Sequence, residues 1–352
     1  MTDALNTSSA PHIPSRISVQ QVMLWVCLTL LPATLAHVYY FGFGILVHWC
    51  IAVVSALVFE WWCLGWRKQP VRLFITDLSA VVTAWLFVLC ISPVAPWYVS
   101  VVGMFFAIVV AKHLYGGLGN NIFNPAMVGF AVILIAFPQS MSLWLPPGGL
   151  MAEHSIHFSL TELFSWIFAG HPQDAVDAVT AATPLTAIQT GLQQNYSLSE
   201  IVSLPVFGEM GGLGWEWIAN WLFIGGAILL YKRIITWHVP AAVLMTTIAA
   251  ATPFYLFNND LFMSPQQHVF SGGIMLAAFF IATDPTSGCS SFKGKIIFGA
   301  GVAILTVLIR NFGSYPDGVA FAILLMNMAA PLIDRITIPD PYGKKGNTNA
   351  TD

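Results

Sequence analysis

Charge is what this sequence has least of. Asp, Glu, Lys and Arg make up 8% of its 352 residues, where ordinary soluble domains carry about 25%. Hydrophobic residues fill 57% of the chain and the mean hydropathy is +0.75. So few charges cannot cover a water-facing surface, so most of the surface must face lipid. That excludes a soluble enzyme, a nucleic-acid binder and a disordered linker. Clustered cysteines are missing too. Cys27, Cys50, Cys63, Cys90 and Cys289 form no CxxC pair, and the first four lie inside apolar runs. Thiolate ligation of zinc or of an iron–sulfur cluster needs clustering, so the cysteines read as small hydrophobes and no metal site is expected. Residues 1–15 are polar, and no short apolar core with a small-residue cleavage site follows them, so no removable signal peptide is expected.

What the chain does have is a series of apolar runs, at about 20–41, 44–65, 77–93, 95–114, 124–137, 216–231, 237–256, 268–283, 296–310 and 317–334. A perpendicular span takes about 20 residues; several runs are shorter, which suggests broken or re-entrant helices. With a cytoplasmic N-terminus, twelve of the thirteen basic residues (Arg16, Arg67, Lys68, Arg72, Lys112, Lys232, Arg233, Lys293, Lys295, Arg335, Lys344 and Lys345) fall on the inner side, and only Arg310 falls outside. Such a bias sets orientation. Residues 138–215 hold no Lys or Arg but contain Glu153, Glu162, Asp174, Asp177, Glu200 and Glu209. This extracytoplasmic loop is too long for a mere turn, and Leu160–Phe168 and Leu198–Val206 are candidates for short helices within it.

The two halves resemble each other. Pro125, Val128, Phe130, Ala131 and Leu134 recur as Pro316, Val319, Phe321, Ala322 and Leu325, and Ser79, Phe87 and Pro93 recur as Ser271, Phe279 and Pro285. Each half has five spans, so the second is expected to be inverted, an architecture shared with transporters. The expectation is an all-α integral membrane protein with about ten transmembrane helices in two inverted five-helix repeats and one large extracytoplasmic loop. Its parts are a cytoplasmic tail (1–15), a first repeat (16–137), the loop (138–215), a second repeat (216–335) and a second cytoplasmic tail (336–352).

Three polar motifs interrupt the apolar runs. Gly116-Gly117-Leu118-Gly119-Asn120-Asn121-Ile122-Phe123-Asn124-Pro125-Ala126 reads as a turn with left-handed glycines, then a helix opened by Pro125 and capped by Asn124. Free N–H groups at such a start suit an anion or the edge of a flavin; a plain turn is the alternative. Thr283-Asp284-Pro285-Thr286-Ser287-Gly288 is a helix end in which Asp284 caps, binds a cation or does neither. Gly313-Ser314-Tyr315-Pro316-Asp317-Gly318 starts the last span from outside. Ionisable groups at membrane depth are candidates for function. Glu60 and Asp77 flank the basic stretch Arg67–Arg72, where interfacial ion pairing accounts for them, and His37, His48, His238 and His268 read as hydrogen-bonding at span ends. In the acidic loop, Asp177-Ala178-Val179-Thr180-Ala181-Ala182-Thr183-Pro184-Leu185-Thr186 sets an extended Thr183 before proline among small residues, a hydroxyl that an enzyme can reach. On the residues alone, a solute transporter or channel with an inert loop, or a membrane scaffold, stays open.

The strings YGGLGNNIFNPA (115–126), SGGIMLAAFFIATDP (271–285) and RNFGSYPDGVAFAILL (310–325) resemble the RnfD family, the D-type subunits of Rnf electron-transport complexes, which is related to the B-type subunit of the sodium-pumping NADH:quinone reductase. The resemblance runs from about residue 16 to 343. It implies FMN held covalently through a threonine phosphoester in an (S/T)-G-A-T-like motif. Thr180-Ala181-Ala182-Thr183 matches that motif with alanine for glycine, which gives Thr183 the flavin position with Thr180, Ala181, Ala182 and Pro184 around it. The cofactor would supply the redox chemistry and the protein its position. The resemblance further implies a bacterial inner-membrane subunit that couples electron transfer between ferredoxin and NAD to sodium or proton movement. Its partners would be other Rnf-type membrane subunits, flavin-carrying and iron–sulfur subunits, and a flavin transferase that installs FMN from FAD. The chain has neither a GxGxxG unit in a βαβ setting nor cluster ligands, so contact with NAD and ferredoxin falls to those partners and the chain is an enzyme only as part of a translocase. Gly116, Gly117, Gly119, Asn120 and Asn124, with Asp284 and Asp317, are candidates for a second, non-covalent flavin or for the ion path. The basic-residue bias yields a direct test: a cysteine introduced at Gln193 should react with an impermeant thiol reagent in intact spheroplasts, and one at Gly346 should not; the opposite pattern reverses the orientation.

Overall fold

The computed structural model describes residues 18–148, 159–170 and 181–337. The tail 1–15, nearly all of 336–352 and Thr180 lie outside the described residues. Among the described residues every regular element is helical, and extended pairing is limited to two isolated bridges, Trp144 with Ala181 and Phe207 with Gly212.

The first half opens with α1 (Val19–Phe41) and α2 (Gly44–Trp66). Ser18 starts α1 with a reciprocal cap in which each of Ser18 and Gln21 accepts the other's backbone N–H through its side chain. The run expected at 77–93 holds α4 (Ser79–Val88); a short α3 (Val71–Ile75) precedes it, and Leu78 between them is in the left-handed region with φ +65°. Next come α5 (Trp97–His113), π-helical from Phe105 onward, and α6 (Pro125–Ala136). The acidic segment contributes α7 (Pro138–Ser142), α8 (Leu160–Ala169), α9 (Pro184–Gln193) and α10 (Leu198–Val202). The second half holds α11 (Trp215–Tyr231), α12 (His238–Phe257), α13 (Pro265–Phe270), α14 (Ile274–Leu276, continued as a π-helical turn over Ala277–Ile281), α15 (Phe292–Phe312) and α16 (Val319–Thr337).

Among the described residues, six helical stretches are long and apolar enough to cross a membrane: Val19–Phe41, Gly44–Trp66, Val71–Val88 (α3 and α4 taken together), His238–Phe257, Phe292–Phe312 and Val319–Thr337. The other expected spans are shorter. Trp97–His113 and Pro125–Ala136 are apolar but below that length, and the run expected at 268–283 is cut in two at Ser271–Gly273. The cut has a physical cause. Gly272 is left-handed at φ +66°, and a Cβ there would meet the Asp317 carboxylate and the Arg310 guanidinium. Arg310 donates to the carbonyls of His268 at 2.6 Å and Ser271 at 2.8 Å, and Asp317 accepts the Gly273 N–H at 2.7 Å. The side chains satisfy backbone groups that an unbroken helix would have paired internally.

The halves pack antiparallel. Phe41 meets Trp215 with ring centroids 4.4 Å apart, the Thr29 carbonyl lies against Gly225, and Lys232 sits over Trp25, so α1 and α11 run in opposite directions along one another. The same holds for α6 and α16. Asn124 at the start of α6 donates its N–H to Asn327 Oδ1 at 3.0 Å, while Leu134 near its end shares a cavity wall with Tyr315 and Pro316, which precede α16. Asn327, 1% exposed, also donates to the Ser287 carbonyl at 2.9 Å and so ties α6, α16 and the turn after α14 together. Asn327→Leu should leave a buried N–H and a buried carbonyl unpaired at a cost of about 1–3 kcal/mol. A lowered melting temperature in detergent reads this out, against an unchanged one for Met328→Leu on the exposed face.

Candidate functional site

Thr183 is the N-cap of α9. Proline at 184 holds it extended (φ −66°, ψ 157°), and its Oγ1 accepts the Thr186 N–H at 3.2 Å with the Thr186 hydroxyl 2.8 Å away. The expected extended geometry before proline is present. The hydroxyl, however, is half-buried and engaged in capping rather than free in a loop, because the four N–H groups at a helix start need acceptors. Two contacts fix this helix start. Ala181 donates its N–H to the Trp144 carbonyl at 2.8 Å, and the Pro184 ring packs where a Cβ on Gly212 would stand, so only glycine fits there. Ala182 is exposed. At the far end of α9, Gln189 donates to the carbonyls of Gly313 and Ser314, anchoring the helix to the entrance of α16.

Below Thr183 lies a cavity of about 420 Å³ lined from both halves. Thr183, Pro184 and Thr186 form its rim; Trp144, Trp215, Met127, Met141 and Leu276 form apolar walls; Gly272, Gly273 and Asp317 contribute the backbone break. His37 also lines it. That ring is 2% exposed, packs against Phe41 (5.1 Å) and Trp144 (6.1 Å), and has no hydrogen-bond partner at either nitrogen. The expected role of His37 as an interfacial hydrogen-bonding residue is thus corrected, because it turns inward into the cavity. His48 is buried as well, with Nδ1 2.8 Å from the Ser100 hydroxyl.

The short helices of the acidic segment form as expected, each opened by a reciprocal cap. Ser159 with Glu162 starts α8, and Ser197 with Glu200 starts α10. The backbone N–H groups of Ser159 and Ser197, with their hydroxyls, hold these two carboxyls below the usual carboxylate range.

A second cavity, of about 220 Å³, opens at the opposite end of α6. Asn121, Asn124, Asp284, Thr286, Ser79 and Lys112 supply its polar lining. Gly116, Gly117 and Gly119 take φ values of +120°, +88° and +90°, and Asn124 caps α6 ahead of Pro125, as the motif implies. Asp284 caps its own turn, accepting from the Thr286 N–H and the Thr286 and Ser287 hydroxyls. Asn121 donates to the Thr286 hydroxyl at 3.0 Å. Of the residues grouped as a second site, only Asn124 and Asp284 line this cavity. Gly116, Gly117, Gly119 and Asn120 shape the turn beside it, and Asp317 belongs to the Thr183 cavity, where it pairs with Arg310 at 3.2 Å. The Asn124 and Asp317 turns cap opposite ends of antiparallel helices, so these candidates stand at two cavities.

Glu60 also departs from expectation. Its partner is Lys112, with Nζ 2.7 Å from each carboxylate oxygen and side chains 2% and 1% exposed, and Nζ also donates to the Ser79 hydroxyl at 2.8 Å. Arg67 turns instead to His113 and the Gly116 carbonyl, and Asp77 caps Ser79. Sequence reasoning put Lys112 only at the inner boundary, quoted Asn121 and Thr286 within motifs without a site role, and did not single out Trp144 or Trp215. The available signal was a lysine two residues before the end of the apolar run 95–114.

A model of the NQR2, RnfD, RnfE family matches residues 6–343. The chain is 44% identical over 347 residues to the D-type subunit of the ion-translocating oxidoreductase complex of Aliivibrio salmonicida (strain LFI1238), covering 96% of this chain and 98% of the relative. It is 45% identical over 345 residues to the same-named protein of Vibrio cholerae serotype O1 (strain ATCC 39541 / Classical Ogawa 395 / O395), with the same coverage. For the protein of that name from Aeromonas salmonicida (strain A449), identity is 42% over 349 residues, covering 97% and 99%. The chain belongs to the NQR2, RnfD, RnfE family.

The Glu60–Lys112 pair yields a prediction at the second cavity. Glu60→Ala should leave a buried ammonium uncompensated and cost about 3–5 kcal/mol, while the double variant Glu60→Leu/Lys112→Leu should recover most of that loss. Melting of the purified variants in detergent measures both, and a double variant no better than the single one would contradict the pairing.

Proposed function

As a member of this family, the chain is, we propose, a multi-pass inner-membrane subunit of an Rnf-type complex, one that relays electrons through FMN esterified to Thr183 while the complex couples ferredoxin–NAD electron transfer to ion translocation. The observation that carries the reading is the setting of the Thr183 hydroxyl. It lies at the N-terminus of a ten-residue helix and on the rim of a cavity of about 420 Å³ that spans both halves. A phosphoryl group on Oγ1 would sit at the positive end of the helix macrodipole, where anions are stabilised, and the Thr186 N–H and hydroxyl are donors within reach of that position. The aromatic and methionine walls below suit a flat, largely apolar ring system. When bound, FMN would supply a centre that takes up and releases electrons; the chain's own residues hold it, exclude water from it and set its electrostatics.

Attachment would follow from transfer out of FAD by a separate transferase. The Thr183 Oγ1–phosphorus bond forms as the pyrophosphate bond of FAD breaks, AMP leaves, and the hydroxyl proton passes to the transferase. The basic-residue bias of the loops supports cytoplasmic termini and a periplasmic segment 138–215, the compartment in which such an enzyme would meet Thr183. The antiparallel pairing of α1 with α11 and of α6 with α16, and the left-handed breaks at Leu78 and Gly272, support two inverted repeats with ten membrane passages, five of them made by short or broken elements. The cavity lined by Asn121, Asn124 and Asp284 is the counterpart on the cytoplasmic side, available to a second, non-covalent flavin or to the ion path. Other Rnf-type membrane, flavin-carrying and iron–sulfur subunits complete the complex.

Thr183→Ala should abolish the covalent flavin, visible as loss of in-gel fluorescence from the denatured chain, while the protein still accumulates in the membrane with about 1 kcal/mol less stability from the lost cap. Thr180→Ala and Thr186→Ala should keep the fluorescence. Full fluorescence in Thr183→Ala refutes the assignment.

A further inference from the structure

The cavity below Thr183 contains one side chain whose chemistry the fold leaves unfinished. Among the described residues lining it, His37 alone has buried polar atoms with no hydrogen-bond partner, and both of its ring nitrogens are in that condition. The residue is 2% exposed. Buried polar groups in folded proteins are almost always satisfied, and one that is not calls for a specific cause. Nothing about local geometry supplies that cause. His37 sits inside an uninterrupted helix, four residues before Phe41, and its ring is held by contacts with Phe41 and Trp144. Those aromatic rings continue through Trp215, with Phe41–Trp215 centroids at 4.4 Å and Trp144–Trp215 at 5.8 Å, so the imidazole is set in a rigid aromatic wall rather than on a mobile surface. Trp144 is itself bound to the segment that presents Thr183, through its carbonyl and the Ala181 N–H. The wall that holds His37 and the helix start that holds Thr183 are therefore one mechanical unit.

We propose that His37 is the polar contact for the ring of the flavin carried on Thr183, donating an imidazole N–H to the heteroatom edge of the isoalloxazine system and thereby raising the flavin's midpoint potential. The inference rests on the reading of Thr183 as the attachment residue. Its chemistry is that of a fixed donor in a water-poor cavity. Reduction increases electron density on the ring heteroatoms, and an N–H aimed at that edge stabilises the reduced form more than the oxidised one. Three other lining polar groups already have partners: Trp144 Nε1 donates to the Met141 carbonyl, Gln189 is committed to Gly313 and Ser314, and Asp317 accepts from Gly273 and Arg310. Among the described lining residues, His37 carries the buried donor left to recognise a planar heterocycle entering from the rim.

The test uses the full chain, purified in detergent from membranes of cells that also produce the flavin transferase. In His37→Leu the in-gel fluorescence of the denatured chain should match wild type, since Thr183 and its helix are untouched. At the wild-type midpoint potential, the ratio of reduced to oxidised flavin in the folded variant should fall roughly tenfold, the size of one hydrogen bond to a charged group, with a shift in the visible absorption of the bound flavin. His37→Gln, whose amide N–H can replace the imidazole donor, should recover much of the ratio. Should His37→Leu fail to accumulate, the same question is read from the wild-type chain. The ring nitrogen resonance of His37, assigned by its loss in His37→Gln, should move between flavin-loaded protein and Thr183→Ala protein. An unchanged ratio and spectrum in His37→Leu, equal losses in the Leu and Gln variants, or an unmoved resonance would each overturn the inference while leaving Thr183 in place. A wild-type chain that carries no flavin on any residue would overturn the reading at Thr183, and the inference with it.

Discussion

Every helix that stops inside an apolar layer leaves backbone N–H and carbonyl groups that no water can satisfy, and this chain is organised around that constraint. Its membrane-depth elements include several that stop early, and at two of these stops side chains from elsewhere complete the hydrogen bonding. Arg310 takes the carbonyls of His268 and Ser271, Asp317 takes the Gly273 N–H, and Asn327 takes the Asn124 N–H and gives one bond to the Ser287 carbonyl. These are the side chains that make a low-charge sequence specific. Of the few charged residues, Arg310 and Asp317 serve a backbone break, and Lys112 neutralises Glu60 in the interior.

Broken elements also create the space that the function uses. A continuous pair of helices would close over itself by packing, whereas the stops at Ser271–Gly273 and at Asn124 leave a cavity at each end of the bundle. The two cavities differ in character for a reason visible in their walls. The Asn124 end is lined by amides, a carboxylate and an ammonium; the Thr183 end is lined by tryptophans, methionines and an unpaired imidazole. One suits small polar or charged species, the other a flat ring.

Much of the local structure is legible in the sequence because its causes are local. Asn124-Pro125 announces a capped helix, the three glycines before it announce a left-handed turn, and Ser159 with Glu162 and Ser197 with Glu200 announce the starts of two short helices in the acidic segment. Thr183 before Pro184 is extended for the same kind of reason. What is not legible is direction across the bundle. Glu60 and Lys112 are far apart in sequence, so an ion pair with the nearby arginines reads as the natural solution until the helices are packed. Hydropathy gives the depth of His37 but not the side it faces, and so an inward ring reads as an interfacial one. Asp317 and Asn124 stand in similar turns but at opposite ends, because the helices they precede, α16 and α6, run antiparallel.

A wall of apolar side chains stands between the two cavities. Leu276 and Ile281 of the broken segment face the Thr183 cavity, whereas Phe279 and Phe280 between them face the Asn124 cavity; on the opposing segment Leu89 faces the first and Val82 and Leu86 the second. The partition is thus a single layer of apolar side chains carried on two short elements. An ion crossing such a layer would shed its hydration with no polar group to replace it, at a cost of many kcal/mol, so in this conformation the cavities are closed to each other for ions. Electron transfer between redox groups needs no polar pathway and is not blocked by the same wall. The layer is also the part of the bundle in which the helix changes to π-helical pitch, at Ala277–Ile281, a local irregularity frequent at functional sites. Separation of the aromatic cavity from the polar one is therefore a property of these few apolar side chains and of the two short segments that carry them.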